Sequence, residues 1–314
     1  MKAELAQAFD LGADFTCACI NVSENETFKI ETADGRSFAL RLIRPGYHTP
    51  DEIASEMAWL ESLHRERVVA AAVPVLGRDG HYLQQLGLRQ GVLFCWQSGV
   101  EPVISADLCR LAENLGGIAA RLHDHVERWQ RPLFFTRPRW DFAAALGDDQ
   151  PRWGHWRNGL GVTPPMLPLL HRTVDVIAAR LGQFGQEPQR FNLIHGDLRL
   201  ANVLVDGTNV KVIDFDDSGF GWFMYDAATM VSFHEHEAEV PELMAHWAEG
   251  YRQLRPLPAA DEMEIETFVM FRRLLLLAWL GSHAEIDLAQ HLKTEFAEQS
   301  ADLCEAYLVR TNAY

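Results

Sequence analysis

Short runs of mixed apolar and polar residues fill the first hundred positions, and a helical period takes over after them. Residues 14–22 are rich in small and β-branched side chains. Residues 27–31 and 37–43 carry apolar residues suited to strands, with Asp34-Gly35 between them as a tight-turn signal. Pro45-Gly46 ends the second of these strands. Residues 51–63 predict a helix, because Ile53, Met57, Leu60 and Leu63 form an apolar stripe at helical spacing and Pro50 suits a helix start. Residues 73–76, 81–85 and 91–97 predict three more short strands punctuated by Gly or Pro. A mostly antiparallel sheet with one crossing helix is expected.

Beyond Ser105 the pattern changes. Leu108, Leu111, Ala112, Leu115, Ile118, Ala119 and Leu122 make an amphipathic stripe over residues 108–123. Residues 164–181 and 261–282 predict two further helices, and residues 288–309 one or two more. Between them lies one β-rich island, residues 192–215, with two short strands around Asp206-Gly207-Thr208-Asn209. Residues 135–165 hold Trp, Pro and Arg with little periodicity and are expected to be a long ordered excursion. The predicted layout is an α+β chain: a small β-rich lobe over residues 1–98, a junction near 96–102, and a larger helical lobe over 99–314.

Composition narrows the function classes. A chain of 314 residues with 48% apolar and 23% charged residues is an ordinary globular protein and not a disordered, collagenous or coiled-coil one. Lys and Arg number 28 against 44 Asp and Glu, so the net charge is −16. That balance argues against a non-specific nucleic-acid or anionic-membrane partner. It suits a cationic small substrate or a divalent metal, although most such charge is solvated surface. No secretory signal is visible at the start of the chain, and the apolar block Leu274 to Leu280 is far short of the ~20 residues of a membrane span. Five cysteines without a Cys-x-x-Cys pair are expected to be free core thiols, and a cytoplasmic location follows.

The chemistry concentrates in the β island. His195, Gly196, Asp197 and Asn202 spell H-G-D-x-x-x-x-N; a hairpin follows, then Ile213, Asp214, Phe215 and Asp216 spell I-D-F-D. An Asp and an Asn five positions apart in a tight loop can converge on one point, and an Asp at the end of a returning strand completes a set of oxygen ligands. Mg²⁺ takes such ligands alongside phosphate oxygens and water. A carboxylate left facing a substrate can accept a hydroxyl proton.

These residues resemble the kinase-like phosphotransferase superfamily of aminoglycoside phosphotransferases, choline kinases and type II homoserine kinases. The protein-kinase counterparts are H-R-D-x-x-x-x-N and D-F-G; here Gly196 and Asp216 replace the Arg and the Gly, as is typical of the small-molecule branch. Arg41 to Gly46 (RLIRPG), the Glu56 helix, Leu122-His123, Arg137 to Asp141 (RPRWD) and Asp214 to Asp226 (DFDDSGFGWFMYD) extend the resemblance over most of the chain. It implies a bilobal protein-kinase-like fold, with an antiparallel-sheet N-lobe binding nucleotide and a helical C-lobe building the acceptor pocket.

The same resemblance implies roles. Asp197 is the expected catalytic base or hydroxyl-orienting residue, and Asn202 and Asp214 the expected Mg²⁺ ligands. His195 is expected to brace the loop; Asp226 either braces it or reaches the substrate, and Asp216 and Asp217 lie near the acceptor. No G-x-G-x-x-G is present; Ser23 and Asn25 occupy the place of the phosphate loop. Phe38-Ala39-Leu40-Arg41 aligns with V-A-I-K, so Arg41 stands where the family has Lys, with Glu56 as its partner fifteen residues later. Cys95 and Gln97 belong to the hinge whose backbone meets the base of ATP or GTP.

Other groups read more plainly. His234-Glu235-His236-Glu237 lacks the His-Glu-x-x-His spacing of a metal helix and is expected to be solvated or at the substrate rim. Glutamates 235, 237, 239 and 242 suit an exposed face or a wall for a cationic amine. Trp140, Trp153 and Trp156 are expected to pack in the core or a lid. The leading reading is a Mg²⁺- and nucleotide-dependent kinase of a small hydroxyl-bearing metabolite: an amino alcohol, homoserine or an aminoglycoside. A protein Ser/Thr kinase of the bacterial stress-response type and a catalytically dead nucleotide-binding module are the alternatives. No A-P-E element follows Asp216, which leaves control by loop phosphorylation unsupported.

Overall fold

The structure is a computed structural model and describes residues 1–12, 14–22, 25–102 and 108–312. It divides into two compact units. Met1–Pro102, Trp129–Pro138 and Ala201–Asp216 form the first; Val103–Arg128, Arg139–Leu200 and Asp217–Tyr314 form the second.

An antiparallel sheet organises the first unit. Strands β1 (Phe15–Val22), β2 (Glu26–Thr32), β3 (Ser37–Leu42), β4 (Pro74–Val75), β5 (Gln84–Leu86) and β6 (Arg89–Cys95) pair in the order β1-β2-β3-β6-β4, with β5 also on β6. The register sets Phe28 opposite Leu40 and Leu40 opposite Leu93, and Ile30, Leu40 and Leu93 fill the core on one face. Helix α1 (Lys2–Ala8), which the sequence pattern does not signal, adds Leu5, and Phe9 follows it into the same core. Helix α2 (Pro50–Glu66) starts as its sequence predicts: Thr49 and Glu52 form a reciprocal capping box, and Pro50 needs no N–H donor there. The hairpin β8 (Val203–Asp206) and β9 (Asn209–Val212) belongs to this unit, because Val205 bridges Val100 and Val212 bridges Ala71. The contiguous division expected at 98/99 is therefore too simple: the hairpin folds with the sheet it follows by a hundred residues.

The second unit is helical. It contains α3 (Leu108–Arg128), α4 (Phe142–Leu146), α5 (Leu167–Phe184), α6 (Phe223–Met230), α7 (Val240–Arg252), α8 (Ala259–Met263), α9 (Ile265–Ser282) and α10 (Asp287–Arg310), with β7 (Phe191–Ile194) and β10 (Gly219–Trp222) as a two-stranded ribbon. The helix expected over 261–282 breaks at Glu264 into α8 and α9, and residues 288–309 form one helix. β10 and α7 were not expected. Helices α3 and α7 touch backbone to backbone: a Cβ on Gly116 would lie 1.9 Å from the Trp247 carbonyl oxygen, and one on Gly250 1.9 Å from that of Glu113. Trp140, Trp153 and Trp156 are buried core residues.

Helix α9 is buried on every side from Thr267 to Leu280, and within it lie two arginines, Arg272 and Arg273. Such charges need partners. Arg273 finds Glu235 at 2.7 Å, so Glu235 is buried and not the solvated or rim residue its sequence suggests. The cysteines described are all free, but only Cys304 is buried, and Cys19 is exposed; the expectation of core thiols holds for one of the five. Among the described residues no helix is long and apolar enough to cross a membrane.

Candidate active site

Two clusters of charged side chains are built, one inside each unit. In the first, Arg41 rises from β3 and is buried. Its Nη2 donates to Glu56 Oε2 of α2 at 2.7 Å, and its Nη1 lies 3.4 Å from Asp216 Oδ1 and 3.6 Å from Asp214 Oδ1. Burial works against the guanidinium charge, but Glu56, Asp216 and Asp214 outweigh it and hold the pKa above its ordinary value. One cation thus gathers the helix above the sheet and the I-D-F-D segment.

Asp216 is the hub. Its Oδ2 accepts from the Asn25 amide at 2.9 Å, and Asn25 Oδ1 accepts from the Arg44 backbone N–H, tying residue 25 to the RLIRPG turn. His48 Nε2 stands 3.6 Å from Asp216 Oδ1. Arg137, from the RPRWD motif, donates to the carbonyls of Glu52, Phe215 and Asp216 and so fixes the backbone under that carboxylate. Burial alone would raise the Asp216 carboxyl; Arg41, His48, Asn25 and Arg137 together hold it below the ordinary carboxylate range. Its Oδ1 is a buried oxygen without a hydrogen-bond partner.

Asp214 sits in the left-handed region at φ 60°, a conformation a β-carbon disfavours and functional sites retain. Its side chain is 45% exposed, unlike its neighbours. Asn202 is buried, and its carbonyl accepts the N–H of Ile213, the residue before Asp214. One backbone hydrogen bond thus joins the two segments that carry the expected metal ligands. Cys95 ends β6 with its N–H on Val73 O, and the Gln97 amide turns back to the Cys95 carbonyl. Ser23 lies outside the described residues.

In the second unit, α6 carries the H-G-D turn. Asp226 accepts the N–H groups of His195 and Gly196, and Thr229 accepts that of Leu198. Both Asp226 oxygens are spent inside the protein, with no exposed surface, so the carboxylate braces the loop. His123 completes the brace: a carboxylate only accepts, so the His123 Nε2 that meets Asp226 at 3.1 Å carries the hydrogen, and Nδ1 takes the Tyr251 hydroxyl. Burial pushes His123 below its ordinary pKa, consistent with a neutral ring. Gly196 is required, at φ 79°, because a Cβ there would meet the Asp217 carbonyl oxygen at 2.6 Å. Trp140 Nε1 donates to that same carbonyl at 2.7 Å.

Asp197 emerges from this turn between two arginines. Arg272 Nη2 donates to Oδ1 at 2.5 Å, and Arg199 Nε to Oδ2 at 3.1 Å. Arg272 also donates to Tyr225 Oη at 2.9 Å and Ser232 Oγ at 3.0 Å, which fixes its fork. Burial would raise the Asp197 carboxyl; Arg199, Arg272 and His195 reverse this and hold it below the usual range. The Tyr225 hydroxyl is pushed up to about 12, by burial first, and stays neutral. The His195 ring accepts the Asp197 N–H at 3.2 Å. Arg272 and His48 escaped the sequence reading, and Arg137 entered it only as part of the RPRWD motif. The signal for Arg272 was an arginine pair inside an otherwise apolar helix.

A carboxylate on an H-G-D turn, a cation paired to a helix glutamate, and an I-D-F-D strand end are the working parts of a phosphoryl-transfer enzyme. The chain belongs to the phosphotransferase enzyme family, whose model matches residues 20–257. It is a small-molecule kinase acting on a hydroxyl group, with an α+β, protein-kinase-like fold. A microcompartment-associated aminopropanol kinase of known structure is 39% identical, with a TM-score of 0.90 over 100% of this chain and 98% of its own. The amicoumacin kinase hAmiN, solved with AMP-PNP, Ca²⁺ and amicoumacin, is 21% identical with a TM-score of 0.77 over 96% of this chain and 92% of its own, and shares the fold. The amicoumacin kinase of Bacillus subtilis is 28% identical over 123 residues, 36% of each chain. These relatives do not favour the protein-kinase or the non-catalytic reading.

Proposed function

We propose that this kinase moves the γ-phosphoryl group of ATP to the hydroxyl of a small amino alcohol of the aminopropanol class. The observation that carries the reading is the 39% identity with an aminopropanol kinase along the whole length of both chains. The acidic balance of the chain agrees with a substrate that arrives as an ammonium ion. Cytoplasm is where such an enzyme meets its nucleotide.

Each cluster has its task. In the first unit, Arg41 braced by Glu56 would contact nucleotide phosphate, forking two oxygens where a lysine offers one point charge. Asn202 and Asp214 would hold Mg²⁺, which supplies charge neutralisation on the phosphates. Their hard oxygen donors suit that ion, and the buried Oδ1 of Asp216, which makes no hydrogen bond and already faces Arg41 at 3.4 Å, belongs to an oxygen set suited to positive charge. In the second unit, Asp197 would orient the acceptor hydroxyl. A carboxylate held below its usual pKa is a feeble base, but a loose transition state needs alignment more than early deprotonation. As the acceptor oxygen bonds to the γ-phosphorus, the bond from that phosphorus to the bridging oxygen of ADP breaks, and the hydroxyl proton would pass late to the Asp197 carboxylate.

A panel of acceptors with a coupled ADP readout tests the substrate. 1-Amino-2-propanol is expected to give the highest kcat/KM, ahead of ethanolamine, choline, homoserine and an aminoglycoside; faster turnover of any of the others overturns the assignment. Replacing Asp214 by Ala is expected to remove the Mg²⁺-dependent part of ATP affinity. Titration calorimetry with and without Mg²⁺ measures it, and an unchanged difference would count against Asp214 as a ligand.

A further inference from the structure

Away from these clusters, three metal-ligating side chains meet on the α3–α7 pair. Cys109 lies in the first turn of α3, while Glu242 and His246 stand four residues apart on α7 and therefore on one face. The thiol sulfur, a carboxylate oxygen and an imidazole nitrogen all lie within 4.8 Å of one another. The Cys109 thiol donates its hydrogen to Glu242, and desolvation and the Glu242 charge both push the thiol up. A proton thus occupies the position a cation would take.

A second observation points to a ligand. His246 Nδ1 is sealed from solvent and has no hydrogen-bond partner; Glu249, the nearest carboxylate recorded for it, is 3.9 Å away. An orphaned buried nitrogen costs stability unless something binds it. The scaffold is also fixed, since the backbone contacts at Gly116 and Gly250 lock the register of the two helices. Gly250 is four residues beyond His246, about one turn.

We propose that Cys109, Glu242 and His246 form a Zn²⁺ site that clips α3 to α7, with water as the fourth ligand. Thiolate, imidazole and carboxylate together select zinc over the hard cations Mg²⁺ and Ca²⁺. With Zn–S about 2.3 Å and Zn–N about 2.0 Å, the ligand atoms of a tetrahedral site lie roughly 3.5 Å apart. Closing from at most 4.8 Å takes only a side-chain adjustment. On binding, the S–H bond breaks, sulfur keeps the electron pair for the metal, and the proton leaves to solvent. The site is separate from the nucleotide metal and does not depend on the acceptor assignment.

The full-length chain, stripped by a chelator and titrated with Co²⁺, decides the matter. One Co²⁺ per chain is expected, with a thiolate-to-cobalt charge-transfer band that Zn²⁺ displaces. Cys109→Ser is expected to abolish that band, and His246→Ala to weaken binding at least tenfold. Cys19→Ser, which removes the exposed thiol on β1, should leave both unchanged. Zn²⁺ is expected to raise the Tm of the parent and not that of Cys109→Ser. Absence of the band at stoichiometric cobalt, or an equal band in Cys109→Ser, overturns the proposal. If Cys109→Ser does not fold, His246→Ala, which alters a partly exposed ring, carries the same decision.

Discussion

Asp197→Asn is expected to lower kcat roughly 10³-fold, within the range that general acid–base groups contribute. Asn keeps the shape of the side chain but replaces one acceptor oxygen by a donor, so the acceptor hydroxyl loses the carboxylate that aligns it. ATP affinity is expected to stay within a few-fold, because Arg41, Glu56 and Asp214 form their own network inside the first unit. The variant also leaves Arg272 and Arg199 facing a neutral group. Breaking a buried pair costs about 3–5 kcal/mol, so a lower Tm is expected as well. Coupled ADP release at saturating acceptor and titration calorimetry with a non-hydrolysable nucleotide separate the two effects. A kcat within tenfold of the parent would show that Asp197 does not align the acceptor.

Much of this site was legible because its signals are local. The H-G-D-x-x-x-x-N run and I-D-F-D lie within a single stretch of 22 residues, and the fifteen-residue interval from Arg41 to Glu56 spans one strand end and the start of one helix. Asp34-Gly35 marked its hairpin, and Pro50 marked the start of α2. What escaped depends on contacts between distant residues. Arg272 reaches Asp197 across 75 positions, and Arg273 reaches Glu235 across 38, so neither partner could be named from the chain alone. Glu235 read as a solvated residue for the same reason: an isolated glutamate in an acidic run normally stays in water.

Helix α7 was hidden differently. Its buried face is Val240, Trp247, Ala248, Gly250 and Tyr251, with small residues where α3 comes closest, so the usual stripe of large aliphatics is missing. The acidic residues before it drew attention to charge and away from period. β10, with Gly219 and Gly221 in four residues, likewise lacks strand propensity and exists because β7 offers it a partner. These unsignalled elements matter to the site. The end of β10 leads straight into α6, which braces the H-G-D turn through Asp226 and Thr229.

The Asp197 carboxylate depends on Arg272, and Arg272→Met is expected to cut kcat/KM by roughly 10²-fold, the scale of a small misplacement of a reacting group. The pH profile separates positioning from mere support. In the parent, Asp197 is held below its unfolded value of about 3.9, so it stays ionised from pH 5 to 8 and contributes no acid limb there. That ion pairing stabilises the fold above the unfolded pKa and is lost as pH falls through the folded one. Without Arg272, burial opposes only Arg199 and His195; the carboxyl pKa rises, and the acid limb of kcat/KM moves to higher pH. Arg272→Lys restores the charge but cannot bond Asp197, Tyr225 and Ser232 at once, since an ammonium lacks the planar fork. It is therefore expected to return the limb toward the parent position while recovering only part of kcat. If Arg272 merely supported the fold, Arg272→Met would lower Tm and leave the limb unmoved, and the assignment of Arg272 as the positioning residue for Asp197 would fail.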